Sequence, residues 1–260
     1  MSNLLQKAYF SNNIDKKKPH YHDCHQIILI TKGTVEIKVK NQNLQVTDGN
    51  LLIFSRFENH STNILSKEYE RYVLHINANA KYFENHIFSL LFNRPEGFCN
   101  AFDVSANLKY FKDLFDRLID EHNRNERLTE DMQKLLLQEI LIMLYRQLPD
   151  SFCFDPTVFS IQQKFESDCS KPYTLKELAD EYSMSVSSLS HRFKSITGSS
   201  IMSYLLSCRV AYAQTLLVAT NLDVGQIVEK CGFSDNSNFS RTFKQMNGIP
   251  PTAFRKKYKD

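Results

Sequence analysis

Between Thr174 and Gly248 the chain carries one short pattern twice. The first copy runs Glu177-Leu178-Ala179, a break at Ser183-Met184-Ser185, then Leu189-Ser190-His191-Arg192-Phe193-Lys194 and Gly198. The second runs Gln226-Ile227-Val228, a break at Gly232-Phe233-Ser234, then Phe239-Ser240-Arg241-Thr242-Phe243-Lys244 and Gly248. The copies are offset by 49 residues before the break and 50 after it, so the second break holds one more residue. An internal repeat made of a short helix, a tight turn and a second helix is a duplicated helix-turn-helix. Few chains can satisfy that constraint except as an all-helical domain.

Each copy explains its own folding. Thr174 followed by Glu177 predicts a capping box, and Leu175, Leu178, Ala179 and Tyr182 then share one face at helical spacing. Ser185 is placed to cap the next helix, on which Leu189, Phe193 and Ile196 face inward. In the second copy Asp223 caps with Gln226 in the box position. Ile227, Val228 and Cys231 form the buried stripe, and Gly232 makes the turn. Phe239, Phe243 and Met246 are expected to face the core.

The outward residues set this apart from an ordinary bundle. Ser187, Ser188, Ser190, His191 and Lys194 face out on the first copy. Asn236, Ser237, Asn238, Ser240, Arg241 and Lys244 do so on the second. Asn pairs bidentately with adenine and Arg with guanine in the major groove, while Lys meets phosphates. These residues are the expected DNA contacts. A solvated face would explain one such helix; two copies joined by a helical segment leave that explanation little room.

At these residues the block from about Val158 to Asp260 resembles the DNA-binding domain of the AraC/XylS transcription regulators. The resemblance continues through Arg209, Ala213, Leu216-Leu217, Cys231-Gly232-Phe233, Gly248-Ile249-Pro250-Pro251 and Phe254-Arg255. It implies seven helices, with a long linker helix over about 199–217 holding two recognition helices in successive major grooves, roughly 34 Å apart. The chain departs from the family pattern at His191-Arg192, where Arg followed by an apolar residue is usual. Ser187 and Ser190 stand where larger polar readers are common. The first copy is therefore expected to make weaker base contacts or to rely on phosphates.

Charge follows the same division. The chain carries +3 overall. From Thr157 onward 13 Lys and Arg face 9 Asp and Glu, giving +4; the first 156 residues hold 19 against 20, giving −1. The positive excess sits where phosphates would be met. Six cysteines without a CxxC pair read as reduced thiols of a cytoplasmic protein. With no signal peptide and no apolar run near 18 residues, no membrane span is expected.

The N-terminal part has a different period. Residues 1–19 are polar, read as a leading strand or arm plus a loop, and end in Lys16-Lys17-Lys18-Pro19. Ile27 to Ile30 is an apolar run, Val35, Ile37 and Val39 alternate with Glu36, Lys38 and Lys40, and Tyr69 to Ile76 is a further strand. Turns at Lys32-Gly33 and Asp48-Gly49-Asn50 predict a small antiparallel barrel or sandwich over about 10–80, with room for one small ligand. The order Pro19-His20-Tyr21-His22-Asp23, Gly33, Asp48-Gly49 and His60 is similar to the cupin-like sensor domain of the same family. That resemblance implies an effector site at His20, His22, His25, Gln26 and His60. In metal-binding cupins a Glu takes the place of Gln26, so no metal and no cofactor are expected, though three or four imidazoles could in principle hold zinc or iron(II).

Tyr82 to Gly97 reads as a short Phe-rich helix and loop. Two amphipathic helices follow, one striped by Leu108, Phe111, Leu114, Phe115, Leu118 and Ile119. The other is capped by Thr129 and striped by Met132, Leu135, Leu136, Ile140, Met143 and Leu144. In the family such helices also form a dimer interface. Residues 149–156, bounded by Pro149 and Pro156, are a short linker.

The expected fold class is therefore α+β in two domains. Residues 1–148 form a cupin-like β-barrel with following helices, and 157–260 an all-α domain with helix-turn-helix units at about 174–197 and 223–247. The expected function is sequence-specific DNA binding controlled by a small-molecule effector. The partners are double-stranded promoter DNA, a second copy of the chain and RNA polymerase. Two rivals predict different observations. A metal-dependent cupin enzyme fused to a DNA-binding domain would carry stoichiometric metal. An effector-independent regulator would bind its operator regardless of metabolites.

Overall fold

The computed structural model describes residues 4–14, 17–20, 22, 24–39, 42–56, 58, 60–77, 86–91, 100–124, 126–148 and 155–258. It divides into two compact units, 1–154 and 155–260.

In the first unit, β1 (Leu5–Ser11), β3 (His25–Lys32), β6 (Asn50–Phe54), β8 (Glu70–Ile76) and β9 (Ala101–Asp103) form an antiparallel sheet in the order β1-β8-β3-β6-β9. A second antiparallel sheet has the order β2-β7-β4-β5, from Lys17–His20, His60–Ile64, Val35–Val39 and Gln42–Val46. Alternation decides how they meet. Ile28 and Ile30 of β3, Leu52 and Phe54 of β6 and Val73 of β8 pack against Val35, Ile37, Val39, Val46 and Ile64 of the other sheet. Among the described residues the sheets stay open, so of the expected barrel or sandwich the structure has the sandwich form.

Two helices follow, α1 (Leu108–Arg124) and α2 (Thr129–Tyr145). Phe111, Leu114, Phe115 and Leu118 are buried on α1, and Phe115 meets Tyr72 of β8 at 5.7 Å between ring centroids. Two expectations for α2 are corrected. Thr129 does not cap it: the cap position is Leu128 at φ 66°, and the Thr129 hydroxyl instead accepts the Glu126 amide. Met132 and Leu135 do not join the core but are exposed, Leu135 at 61%, while Leu136, Leu137, Ile140, Leu141 and Leu144 are buried. The predicted helix at Tyr82–Gly97 lies outside the described residues except for a 3₁₀ helix at His86–Leu91, and the predicted linker does so up to Phe154.

The second unit holds seven helices among the described residues: α3 (Pro156–Ser167), α4 (Leu175–Glu181), α5 (Val186–Thr197), α6 (Ile201–Ala219), α7 (Val224–Lys230), α8 (Asn236–Asn247) and α9 (Pro251–Tyr258). The central strut is α6. Its N-terminal half (Ile201, Leu205, Cys208) packs with Val158, Phe165, Leu178, Leu189 and Phe193. Its C-terminal half (Val210, Ala213, Leu216, Leu217) packs with Ile227, Val228, Phe239 and Phe243. By length and composition α6 is apolar enough to cross a membrane. Seven of its buried residues instead serve two cores at once. Cys24, Cys169, Cys208 and Cys231 are buried and in no disulfide among the described residues, whereas Cys99 and Cys153 lie outside those residues.

Candidate nucleic-acid interface and sensor site

Each helix-turn-helix copy is built from its caps inward. Thr174 accepts the Glu177 amide while the Glu177 carboxylate accepts the Thr174 amide, closing the box that starts α4. Asp223 and Gln226 repeat the exchange on α7. The two turns superimpose bond for bond at an offset of 49. Met184 N–H donates to the Ala179 carbonyl at 2.8 Å and Phe233 N–H to the Val228 carbonyl at 3.1 Å. The left-handed residue is Ser183 (φ 53°) in one turn and Gly232 (φ 72°) in the other. Past the turns the offset becomes 50. Ser185 caps α5 through the Ser188 amide at 3.1 Å, and Asp235 caps α8 through the Asn238 amide at 2.7 Å. Asp235 escaped the sequence reading, although Asp followed by Asn236-Ser237-Asn238 is an N-cap signature. The amide that Asp235 accepts, then the Ser234 hydroxyl, hold its carboxyl below the usual range. Both helices run 12 residues, about 18 Å, and end at glycines in the left-handed region, Gly198 and Gly248.

On α5, Ser187, Ser188, His191 and Lys194 are exposed and Ser190 is half-buried. On α8, Asn236, Ser237, Arg241 and Lys244 are exposed, with Asn238 and Ser240 half-buried. The Asn238 side-chain oxygen accepts the Thr242 hydroxyl at 3.4 Å. All eleven residues therefore lie away from the two cores, arranged in parallel on the two copies. One core assignment is corrected: Met246 is 38% exposed, and Thr242 is buried in its stead. The helix ends one residue after Met246, so its last turn runs past the core. Arg192, on the same helix as His191, is not part of the outward set; its guanidinium binds Asp155, the cap of α3.

In the first unit the alternation of β3 separates two of the expected effector residues. Gln26 shares the inter-sheet side with Ile28 and Ile30, and its amide donates to His75 Nε2 at 2.9 Å. His25 lies on the opposite face, fully buried, with Nδ1 accepting the Arg56 amide at 3.0 Å; the structure does not bring it to the others. His60 stacks on Phe54, with centroids 3.9 Å apart and planes at 11°. Its Nδ1 lies 3.0 Å from the Glu58 carbonyl, which it meets as a donor. His22 approaches His60 at 5.5 Å and His75 at 4.9 Å. Gln26, His60, His22 and His75 thus form one polar group at the end of an apolar sandwich. Sequence reasoning missed His75; its signal was the period of β8, which places it beside Gln26. The side chain of His20 lies outside the described residues. Among the described residues no three His, Cys, Asp or Glu side chains converge closely enough to hold a metal ion.

Residues 9–140 match the family described as AraC-like ligand binding domain, and residues 178–257 the family described as Helix-turn-helix domain. The chain is similar to the HTH-type transcriptional activator RhaR of Shigella dysenteriae serotype 1 (strain Sd197). The two are 24% identical over 255 residues, covering 91% of this chain and 86% of that protein. RhaR of Pectobacterium atrosepticum is 24% identical over 251 residues, covering 92% and 86%. Among solved structures, ToxT from Vibrio cholerae has a like fold, with TM-score 0.63, 15% identity and 98% coverage of both chains. So does the unsaturated fatty acid bound form of ToxT, at TM-score 0.60 and 17% identity, covering 95% and 93%.

Proposed function

The chain belongs to the AraC/XylS family of transcription regulators, and from that premise we propose how its residues divide the work. It is a DNA-binding regulator of transcription with an effector-binding domain, not an enzyme. The reading of its two helices rests on one observation. Two units capped by the same bonding pattern share α6 and present eleven hydrogen-bonding or cationic side chains outside both cores. Held on one strut, α5 and α8 would enter successive major grooves of promoter DNA. Asn236, Asn238 and Arg241 would read base edges. Lys194 and Lys244 would meet phosphates, and Ser187, Ser188, Ser190, His191, Ser237 and Ser240 would supply short polar contacts.

The effector would sit between the sheets. Gln26, His22, His60 and His75 would meet its polar end, and Ile28, Val39 and Phe54 its apolar body. ToxT holds an unsaturated fatty acid, which shows that a protein of this fold can take a ligand. Effector binding would shift the population able to grip both grooves. The exposed stripe Leu128, Met132, Leu135 on α2, continued by Glu139 and half-buried Ile142, has the 4-3-4-3 spacing of a helical seam, and supports a homodimer. A cytoplasmic regulator that activates would also touch RNA polymerase.

Mapping the protein across its own genome tests the reading. The expected result is salt-sensitive preference for discrete promoter fragments. Arg241→Ala should cost about 1–3 kcal/mol at one base pair, if that pair is G·C. Absence of any salt-dependent fragment preference, with or without cell metabolites, refutes it.

A further inference from the structure

The two reading helices are not held alike. On α5, Arg192 Nε donates to Asp155 Oδ2. The other oxygen of the same carboxylate accepts the amides of Thr157 and Val158, each at 3.0 Å, and so caps α3. Asp155 is 10% exposed in its side chain, and is the first residue of the second unit, directly after the segment 149–154 that connects the two. One carboxylate therefore ties three things together: the start of α3, the point where the chain enters the DNA-binding unit, and the first reading helix. The charge-assisted bond is directional, and moving Asp155 would uncap α3 and release Arg192 in one step.

Among the described residues the second reading helix shows no matching ion pair to the cap of another helix. At an offset of 50, Arg192 corresponds to Thr242, which is buried and whose hydroxyl turns back to Asn238 on its own helix. Its seating comes from Phe239 and Phe243 in the core, and from Gln214 of α6 bonded to Asn247.

We propose that the Asp155–Arg192 pair is a positioning contact that ties the seating of α5, and not of α8, to the cap of α3. Loss of that pair would then alter the grip on the first half-site alone. Arg192 acts through the placement of His191 and Lys194 and is not itself a DNA reader. The inference rests on the reading of α5 and α8 as the DNA-contacting helices.

The test uses the full chain on a genomic fragment recovered by its own binding map, with hydroxyl-radical footprinting. Lys194→Ala and Lys244→Ala first assign each protected patch to a unit. Asp155→Asn then removes the ion pair but keeps a good cap, and Arg192→Met keeps the apolar stem but removes the donor. Each is expected to raise the protein concentration needed to protect the first patch by about fivefold, the partly exposed pair being worth less than a buried one. The second patch should stay unchanged. The double variant should be no worse than either single, because both remove the same contact. Equal weakening of both patches, no change in either, or a multiplied effect in the double variant overturns the proposal. If Asp155→Asn fails to fold, Arg192→Met alone carries the comparison of patches. If Lys194→Ala and Lys244→Ala leave both patches intact, the DNA-reading assignment itself fails and takes this inference with it. If they act as expected and the pair variants do not, only the positioning role fails.

Discussion

Gly232→Ala separates two reasons for a glycine in a helix-turn-helix. Gly198, Gly232 and Gly248 all sit near φ 73°. An L-residue there costs about 1–2 kcal/mol in strain. That cost is tolerable in this very turn, because Ser183 occupies the matching place of the first copy at φ 53°. What differs is space. A Cβ on Gly198 or Gly248 meets nothing within 4 Å, whereas on Gly232 it lies 2.2 Å from the Ser170 carbonyl oxygen and 2.9 Å from its carbon. The Ser170 backbone cannot easily retreat, since Arg209 of α6 grips both sides of it, donating to the Cys169 and Lys171 carbonyls at 2.8 Å each. Overpacking of this kind adds about 1–3 kcal/mol. Gly198→Ala and Gly248→Ala should therefore cost only the strain, and Gly232→Ala about 2–5 kcal/mol in sum. At about 4 °C per kcal/mol the last is a fall in Tm of about 8–20 °C for the helical domain. Denaturant and thermal melts followed by circular dichroism measure all three. Since the clash lies where the second turn meets the α3–α4 loop, Gly232→Ala should also weaken DNA binding by both units together. A Gly232→Ala variant no less stable than Gly248→Ala would refute the argument that Ser170 dictates the glycine.

Four further outcomes follow from the same geometry. Lys194→Ala and Lys244→Ala should each lower the slope of log affinity against log salt by about 0.9, equally on specific and non-specific DNA, as measured by fluorescence anisotropy. Ser183→Gly should relieve the left-handed strain and raise stability by up to about 1 kcal/mol in equilibrium denaturation. The depressed carboxyl of Asp235 contributes stability that is present above its unfolded value of 3.8 and lost as pH falls through the lower folded value. Acid melts should therefore show a loss that Asp235→Asn, still a good cap, removes. Leu135→Glu should convert dimer to monomer in sedimentation while leaving the monomer's melt in place, because Leu135 is 61% exposed.

The sequence revealed most of what is local and little of what depends on a partner surface. Both capping boxes were legible because Thr174–Glu177 and Asp223–Gln226 lie three residues apart. The strands were legible from alternation, but alternation says nothing about which edges meet, so barrel and sandwich could not be told apart. Helical period placed Leu135 and Leu136 in one apolar stripe. It cannot tell a face turned to the core from one left exposed, and here Leu136 is buried while Leu135 is exposed. Thr242 was assigned to neither face, because a hydroxyl fits either; bonding it to Asn238 lets it be buried. His25 and Gln26 are adjacent in sequence and therefore face opposite sides of β3. His75, 49 residues from Gln26, is its actual neighbour.

Duplication has not made the two reading units equal, and the inequality is chemical. The second cap is an anion, Asp235, whose charge is felt by Arg241. The first is a neutral hydroxyl, Ser185, with His191 in the place of Arg241. A carboxylate at the start of a reading helix repels phosphate but steadies a guanidinium beside it, which favours a bidentate contact with a base over a loose one with the backbone. The first unit lacks both the anion and the large readers, and carries serines and Lys194, groups suited to phosphates. It is also the unit bound to the entry point of the domain through Asp155. A regulator gains from that split. On the proposed reading, sequence choice would reside in the second helix and the first would contribute affinity, so an effector acting on the first would change how tightly the protein binds without changing where.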